Sequence, residues 1–354
     1  MAKLLLVTDA WHPQVNGVVT ALKKMKETLE RDGFEVVVMH PGLFRSVPLP
    51  GYPEIHLALL PRRRIRCMLR SEAPDFIHVA TEGPLGWGTR ALCRRYGWCF
   101  TTSYHTHFHL YGHLRAPSLS RLVQALLRRF HCATTCTMVA TPGLKCALEA
   151  HGFRNLTLWP LGVDTAFFVR NASPGLSLPK PVFLFFGRLA PEKNPEEFLK
   201  LDLPGTKLVV GDGPERKRLQ ARFETQAIFL GYKHGQELVD WLSICDVLVF
   251  PSRTETFGLV ILEALACGIP VAAHDVMGPH DVIDNGVDGV LDDDLRIAAL
   301  ACLSLNRTKC REKALQYSWD ASAAAFKMNL VRASATRERA CDSSVAQPQA
   351  GISL

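Results

Sequence analysis

No stretch of the 354-residue chain approaches the about 18 consecutive apolar residues of a membrane-spanning helix. The first apolar run, Leu4 to Val7, is cut by Thr8 and Asp9, too short for a secretory leader. The expected compartment is therefore the cytoplasm. No C-x-x-C pair occurs among the 11 cysteines, an odd count set in apolar or helical text such as LVQALLRRFHCATTC. That leaves a disulfide framework unsupported and points to reduced core thiols. His131, Cys132, Cys136 and Cys146 are neighbours in sequence, but their spacing is not that of paired zinc ligands. Nor does G-x-G-x-x-G follow the first apolar run, where the text reads TDAWHPQVNG. This argues against a dinucleotide-dependent oxidoreductase. Aromatic residues make up only 8% of the chain, and no nucleic-acid-binding motif is present. Nucleic acid is thus not the expected partner.

What is present is an ordinary globular composition, 47% hydrophobic and 21% charged, on a chain long enough for two cores. The charge is unevenly placed. Residues 1–170 carry 21 Lys+Arg against 11 Asp+Glu, and the remainder carries 20 against 23. The basic residues cluster in PRRRIRCMLR (61–70), CRRYGW (93–98) and LRRFH (127–131). Such clusters suit a solvated helix face, an anionic membrane surface or a phosphate-bearing substrate.

Short apolar runs alternate with helix-length amphipathic segments. The runs 3–9, 35–40, 75–80, 99–105 and 137–143 read as buried parallel strands, and VVTALKKMKETLERDG (18–33) reads as a helix stopped at Asp32-Gly33. After NASPGLSLPKP (171–181), which has linker composition, the pattern restarts with strands at 182–188, 206–213, 227–232, 246–252 and 270–275. The fold class expected is α/β, with two facing Rossmann-like doubly wound sheets. The domains expected are 1–170 and 171–316, then a helix over 317–332 crossing back to the first domain, then a disordered tail over 333–354.

In open α/β sheets ligands sit beyond the carboxyl ends of the strands, so those loops hold the candidate site. PSRTETFGLVILEALACGIPV begins at Pro251, at the carboxyl end of the run 246–252. Glu255 falls in the loop, Gly258 opens a helix, and Glu263 lies one turn and a half into it. The helix N-terminus forms an anion cradle with a carboxylate on either side. Carboxylates suit hydroxyl donors, so the ligand this arrangement fits is a nucleotide diphosphate sugar. In FFGRLAPEKN, Arg188 and Lys193 follow another strand and supply positive charge for a diphosphate.

These motifs, with VVGDGP and LGY in the second half and WHPQVNGVVTAL, PDFIHVATEGPLGW, TSYHTHF and LGVDTAFF in the first, resemble the retaining nucleotide-sugar glycosyltransferases of GT-B fold with the E-x7-E signature. The likeness runs from residue 3 to about residue 331. It is greatest to bacterial GDP-mannose-dependent α-mannosyltransferases and sulfoquinovosyltransferase-like members. It implies that Glu255 contacts the sugar hydroxyls and that backbone amides around Phe257, Gly258 and Leu259 hold sugar and phosphate. It also implies that Glu263 binds the ribose, that Arg188 and Lys193 bind the diphosphate, and that His105 sits beside the transferred sugar. Gly17 would let backbone approach the phosphates or acceptor. The family retains anomeric configuration without a metal or cofactor. The acceptor implied is a lipid or glycan, and the basic first domain would meet the inner membrane face. Leu161 stands where related sequences usually carry Arg.

Two other readings stay open. A nucleotide-sugar-binding protein without turnover would keep the donor motifs. A metal hydrolase would use His105, His107 and His109, which share one face if extended. Asp292 to Asp294 imitate a metal-binding D-x-D, but a solvated turn fits their place late in the second domain.

Overall fold

The computed structural model describes residues 1–14, 16–49, 52–105, 117–172, 175 and 177–330. The expected tail 333–354 and the residues His107 and His109 lie outside them. The structure is two facing parallel sheets, the GT-B architecture. The first contains β1 (Lys3–Val7), β2 (Glu35–Met39), β5 (Phe76–Val79), β6 (Thr101–Tyr104), β7 (Cys136–Val139) and β8 (Leu156–Leu158). Their order is β2-β1-β5-β6-β7-β8, with a separate hairpin of β3 (Ser46–Leu49) and β4 (Tyr52–Ala58). The second contains β9 (Val182–Phe186), β10 (Thr206–Val210), β11 (Ile228–Gly231), β12 (Val247–Phe250), β13 (Val271–Ala273) and β14 (Gly289–Leu291). Their order is β11-β10-β9-β12-β13-β14.

The strands read as unbroken apolar text because both faces of each sheet are covered. Leu4 to Val7 and Val247 to Phe250 are all buried. Burying one such side chain contributes about 1.5–3 kcal/mol before the entropy of ordering it is subtracted. The order in which strands are added reverses between β1 and β5 in the first sheet and between β9 and β12 in the second. Those two switch points open the crevices where ligands bind in doubly wound sheets.

Helix Gly17–Arg31 starts where Asn16 accepts from the Val19 amide at 3.0 Å and buries Val19, Leu22, Met25 and Leu29 against the first sheet. The helix at 319–330 packs on the first half, although it follows the second half in the chain. Trp159 Nε1 donates to Ser322 Oγ at 3.0 Å, and Asn329 Nδ2 donates to the Leu158 carbonyl at 3.1 Å. Arg31 pairs with Asp320, and Lys327 pairs with Asp32 at 2.6 Å. Where the chain leaves and re-enters the first half, Val163 and Ser318 form a parallel bridge. Among the described residues no helix is long and apolar enough to cross a membrane.

Candidate functional site

Beside the second sheet's switch point, the loops after β9 and β10 meet by backbone contact. A Cβ on Gly211 would lie 1.9 Å from the Gly187 carbonyl oxygen, and one on Gly213 would lie 2.4 Å from that of Leu189. The loops after β9 and β10 are thus pressed together closely enough that only glycine fits. Arg188 emerges from this seam half-buried. The 3-10 turn Pro191–Lys193 then swings Lys193 onto Glu255, and the two form an ion pair. Thr254 and Ser252 hydroxyls donate to the Glu192 carbonyl, tying the loop after β12 to the loop after β9. A third loop closes on the same point. Gly278, at φ +91°, comes so near that a Cβ there would sit 2.8 Å from the Glu255 carbonyl oxygen.

Beyond Glu255, Phe257 is buried and Gly258 takes φ +86° at the N-cap of helix Leu259–Ala266. That left-handed turn opens the helix with the Leu259 and Val260 amides, while the Ile261 amide donates back to the Gly258 carbonyl at 2.9 Å. Glu263 is the fifth residue of this helix, about 6 Å along its axis from Leu259. Burial pushes its carboxyl up to about 7, with no compensating charge beside it.

The first half meets this site from across the cleft. Gly17 begins its helix where a Cβ would lie 3.9 Å from Leu259 Cδ1, so the two helix N-termini face each other. His105 follows β6, and its carbonyl accepts from the Thr256 hydroxyl at 2.9 Å, a direct bond between the halves. Its Nε2 lies 2.7 Å from Ser103 Oγ, and its ring sits edge-on to Trp159. Burial pushes His105 down to about 4, so it is neutral near pH 7. A second bond between the halves runs from the Gly143 amide to Asp281 at 2.9 Å.

The site residues expected from sequence therefore gather at one cleft: Arg188, Lys193, Glu255, Phe257, Gly258, Leu259 and Glu263 on one wall, Gly17 and His105 on the other. Sequence reasoning missed Thr256, the hydroxyl that bridges the walls, although it lies inside the quoted motif. It also missed Asp9, at the first sheet's switch point. The Asp9 carboxylate accepts from the Leu85 and Gly86 amides at 3.0 and 3.3 Å and from Thr81 Oγ1 at 3.1 Å. Burial still raises it to about 6. The hydroxyl-rich text TTSYH, standing among strands that are mostly apolar, was the signal for such networks.

Two of the metal candidates among the described residues, His131 and Asp294, are otherwise engaged. His131 holds Glu82 at 3.0 Å and Thr102 Oγ1 at 2.9 Å with its two ring nitrogens. Asp294 caps helix Leu295–Cys302 by accepting from the Arg296 and Ile297 amides. Among the described residues no group of three metal-ligating side chains converges, and no disulfide joins the ten described cysteines.

Comparison with known proteins gives the same two halves. Residues 15–167 match the family described as Glycosyltransferase Family 4, and residues 170–318 match Glycosyl transferases group 1. A GDP-mannose-dependent alpha-mannosyltransferase of Mycobacterium tuberculosis is 32% identical over 321 residues, covering 82% of this chain and 83% of that protein. A sulfoquinovosyl transferase of Arabidopsis thaliana is 30% identical, covering 80% of this chain and 62% of that one. Among solved structures, sucrose-phosphate synthase from Thermosynechococcus elongatus superposes with a TM-score of 0.76 at 19% identity, covering 93% of this chain and 98% of that one.

Proposed function

The chain belongs to the GT-B glycosyltransferases of Family 4 and group 1 and uses a nucleotide sugar, and from that premise we propose that it transfers a hexose, mannose first among candidates, from a nucleoside diphosphate to a lipid or glycan with retention and without a metal. The Lys193–Glu255 pair in front of the Gly258 helix N-terminus carries this reading. An unliganded carboxylate there is neutralised by the cation that a diphosphate would recruit. Donor binding would draw Lys193 to phosphate and leave Glu255 to accept from sugar hydroxyls. Arg188, Lys193 and the Leu259 amide region would supply the positive field for the leaving diphosphate. Glu263 would accept from the ribose hydroxyls, and Gly17 would admit phosphate or acceptor close to backbone.

In the proposed step the C1–O bond to the diphosphate breaks and a C1–O bond to the acceptor forms on the same face. The acceptor's proton passes to the departing phosphate oxygen. Among the described cleft residues Glu255 is engaged by Lys193, which suits a binding role rather than that of a nucleophile. The GDP-mannose preference rests on the mycobacterial relative. Hydrolysis or transfer assayed across a panel of GDP-, UDP- and ADP-hexoses tests it. Turnover with GDP-mannose above the rest is the expected result. Binding without turnover for every donor would instead favour a nucleotide-sugar-binding protein.

The acceptor side is proposed to meet an anionic membrane. Helices Arg62–Glu72, Pro84–Tyr96 and Pro117–His131 form one layer on the first sheet, joined by Trp87 on Phe130 and by Gly88 against Ile65. Their outer surface exposes Arg62, Arg63, Arg64, Arg66, Arg94, Arg95, Arg121, Arg128 and Arg129, while Glu72 is the one acid in the three segments. Leu60, Leu122 and Leu126 are exposed beside these arginines, at 96%, 56% and 45%. Cations flanking apolar side chains are the chemistry that holds a surface on anionic lipid. Co-sedimentation with vesicles that ignores both anionic lipid and salt would refute this part.

A further inference from the structure

One face of the first sheet carries a polar chain that ends at His105. Thr101 and Ser103 alternate onto that face of β6, with His105 next in the same register. His78 on β5 pairs with Thr101 across the ladder. Phe326 and Trp159 cover His78 edge-on, with ring centroids 4.8 and 6.1 Å away. His78, Thr101 and Ser103 are almost wholly buried. In such a place each hydroxyl proton needs an acceptor, or about 1–3 kcal/mol is lost.

The donors and acceptors can be counted. Among the described residues Thr101 Oγ1 makes one hydrogen bond, to His78 Nδ1 at 2.9 Å. Were Nδ1 protonated, the Thr101 proton would be stranded, so Thr101 donates and Nδ1 accepts. Burial holds His78 down to about 3, so it is neutral and carries its proton on Nε2. That Nε2 donates to Ser103 Oγ at 3.1 Å. Ser103, already accepting, spends its own proton on His105 Nε2 at 2.7 Å. His105 is neutral too, and its remaining proton must sit on Nδ1. Among the described residues Nδ1 has no partner.

We propose that Ser103 and His78 are positioning residues for the transfer reaction: the chain Thr101–His78–Ser103–His105 fixes His105 as the Nδ1–H tautomer, so that it offers a hydrogen-bond donor to an oxygen of the bound nucleotide sugar. The proposal rests on the reading of His105 as the residue beside the transferred sugar. The Thr256 hydroxyl on the His105 carbonyl holds the backbone, while Ser103 holds the ring. A donor N–H favours a sugar hydroxyl lone pair or a phosphate oxygen, and the opposite tautomer would present a lone pair to the same atoms.

Nitrogen NMR of the full chain with labelled histidine, assigned through the signal lost in His105→Asn, reads the tautomer directly. His105 protonated on Nδ1 alone near neutral pH is expected. Protonation on Nε2, or on both nitrogens, overturns the proposal. Ser103→Ala should erase the tautomer preference and lower kcat with GDP-mannose about tenfold at little cost in KM. Ser103→Thr, which keeps the hydroxyl, should restore both. An unchanged spectrum and kcat in Ser103→Ala would also overturn it. If Ser103→Ala does not fold, the wild-type spectrum decides alone. A chain that never turns over GDP-mannose counts against the donor reading, and the spectrum still tests the tautomer.

Discussion

The two sheets solve the same problem with different materials. Each has a switch point that opens a crevice, β1 against β5 in one and β9 against β12 in the other. In the second half the crevice is shaped by backbone on backbone, with Gly187 against Gly211, Leu189 against Gly213, and Glu255 against Gly278. Its charged side chains then stand on a floor that has no side chains of its own. In the first half the crevice is shaped by side chains threaded between strands. Asp9 reaches the Leu85 and Gly86 amides, His78 reaches Thr101 and Ser103, and His131 reaches Glu82 and Thr102. A backbone floor brings amides close to a diphosphate. A side-chain network fixes protons and orientation where an acceptor must be aligned.

The sharpest test of that contrast separates charge from floor. Glu255→Ala should leave the backbone seam intact and lower kcat/KM about a thousandfold, near 4 kcal/mol of transition-state stabilisation, with thermal stability close to wild type. Wild-type turnover in that variant would end the site assignment. Gly211→Ala does the reverse. It meets the Gly187 carbonyl and a positive φ together, so a loss of about 3 kcal/mol in urea unfolding is expected. If Gly211→Ala unfolds like wild type, the backbone floor is not what holds the second half.

Glu263 gives the next effect in size. Its folded-state value is raised from 4.5 to about 7, so the associated stability is present below 4.5 and is lost as pH rises through 7. The loss amounts to at most about 3 kcal/mol, and less to the extent that the carboxylate reaches solvent through the cleft. Glu263→Gln should flatten the pH dependence of urea unfolding between 4.5 and about 7, and weaken donor binding above about 7. Asp9→Asn should be mildest. It turns one acceptor oxygen into a donor against helix amides, for a loss of about 1–2 kcal/mol in the first half, read as a lower Tm with donor affinity retained.

What was legible in the sequence follows the same division. Gly258, Gly211 and Gly213 announce themselves, because a glycine between a buried strand and a helix has a backbone reason for being there. Lys193 and Glu255 sit beside such glycines, so they were found with them. The ten long apolar runs all became strands, each shorter than expected, because the loop residues at their carboxyl ends leave the ladder to form the crevice. Leu156–Leu158 and Gly289–Leu291 were missed, since three residues show no period. The networks of the first half join residues far apart in sequence, 76 and 77 for Asp9 with Leu85 and Gly86 and 49 for His131 with Glu82. No local pattern encodes such a partner. Only the presence of Thr101, Ser103 and His78 inside strand-length runs hinted that something polar was buried there.

The parallel bridge between Val163 and Ser318 has a mechanical consequence. The chain crosses between the halves twice, and the Val163 amide holds the Tyr317 carbonyl at 2.9 Å where the outgoing and returning segments meet. Two bodies joined along one such seam keep a single soft degree of freedom, rotation about an axis through the seam. The bonds Thr256 to His105 and Gly143 to Asp281 lie away from that axis, so they are the ones that rotation would break first. A disulfide clamped across the seam should leave turnover standing, whereas one across Gly143 and Asp281 should lock the doorway and stop it.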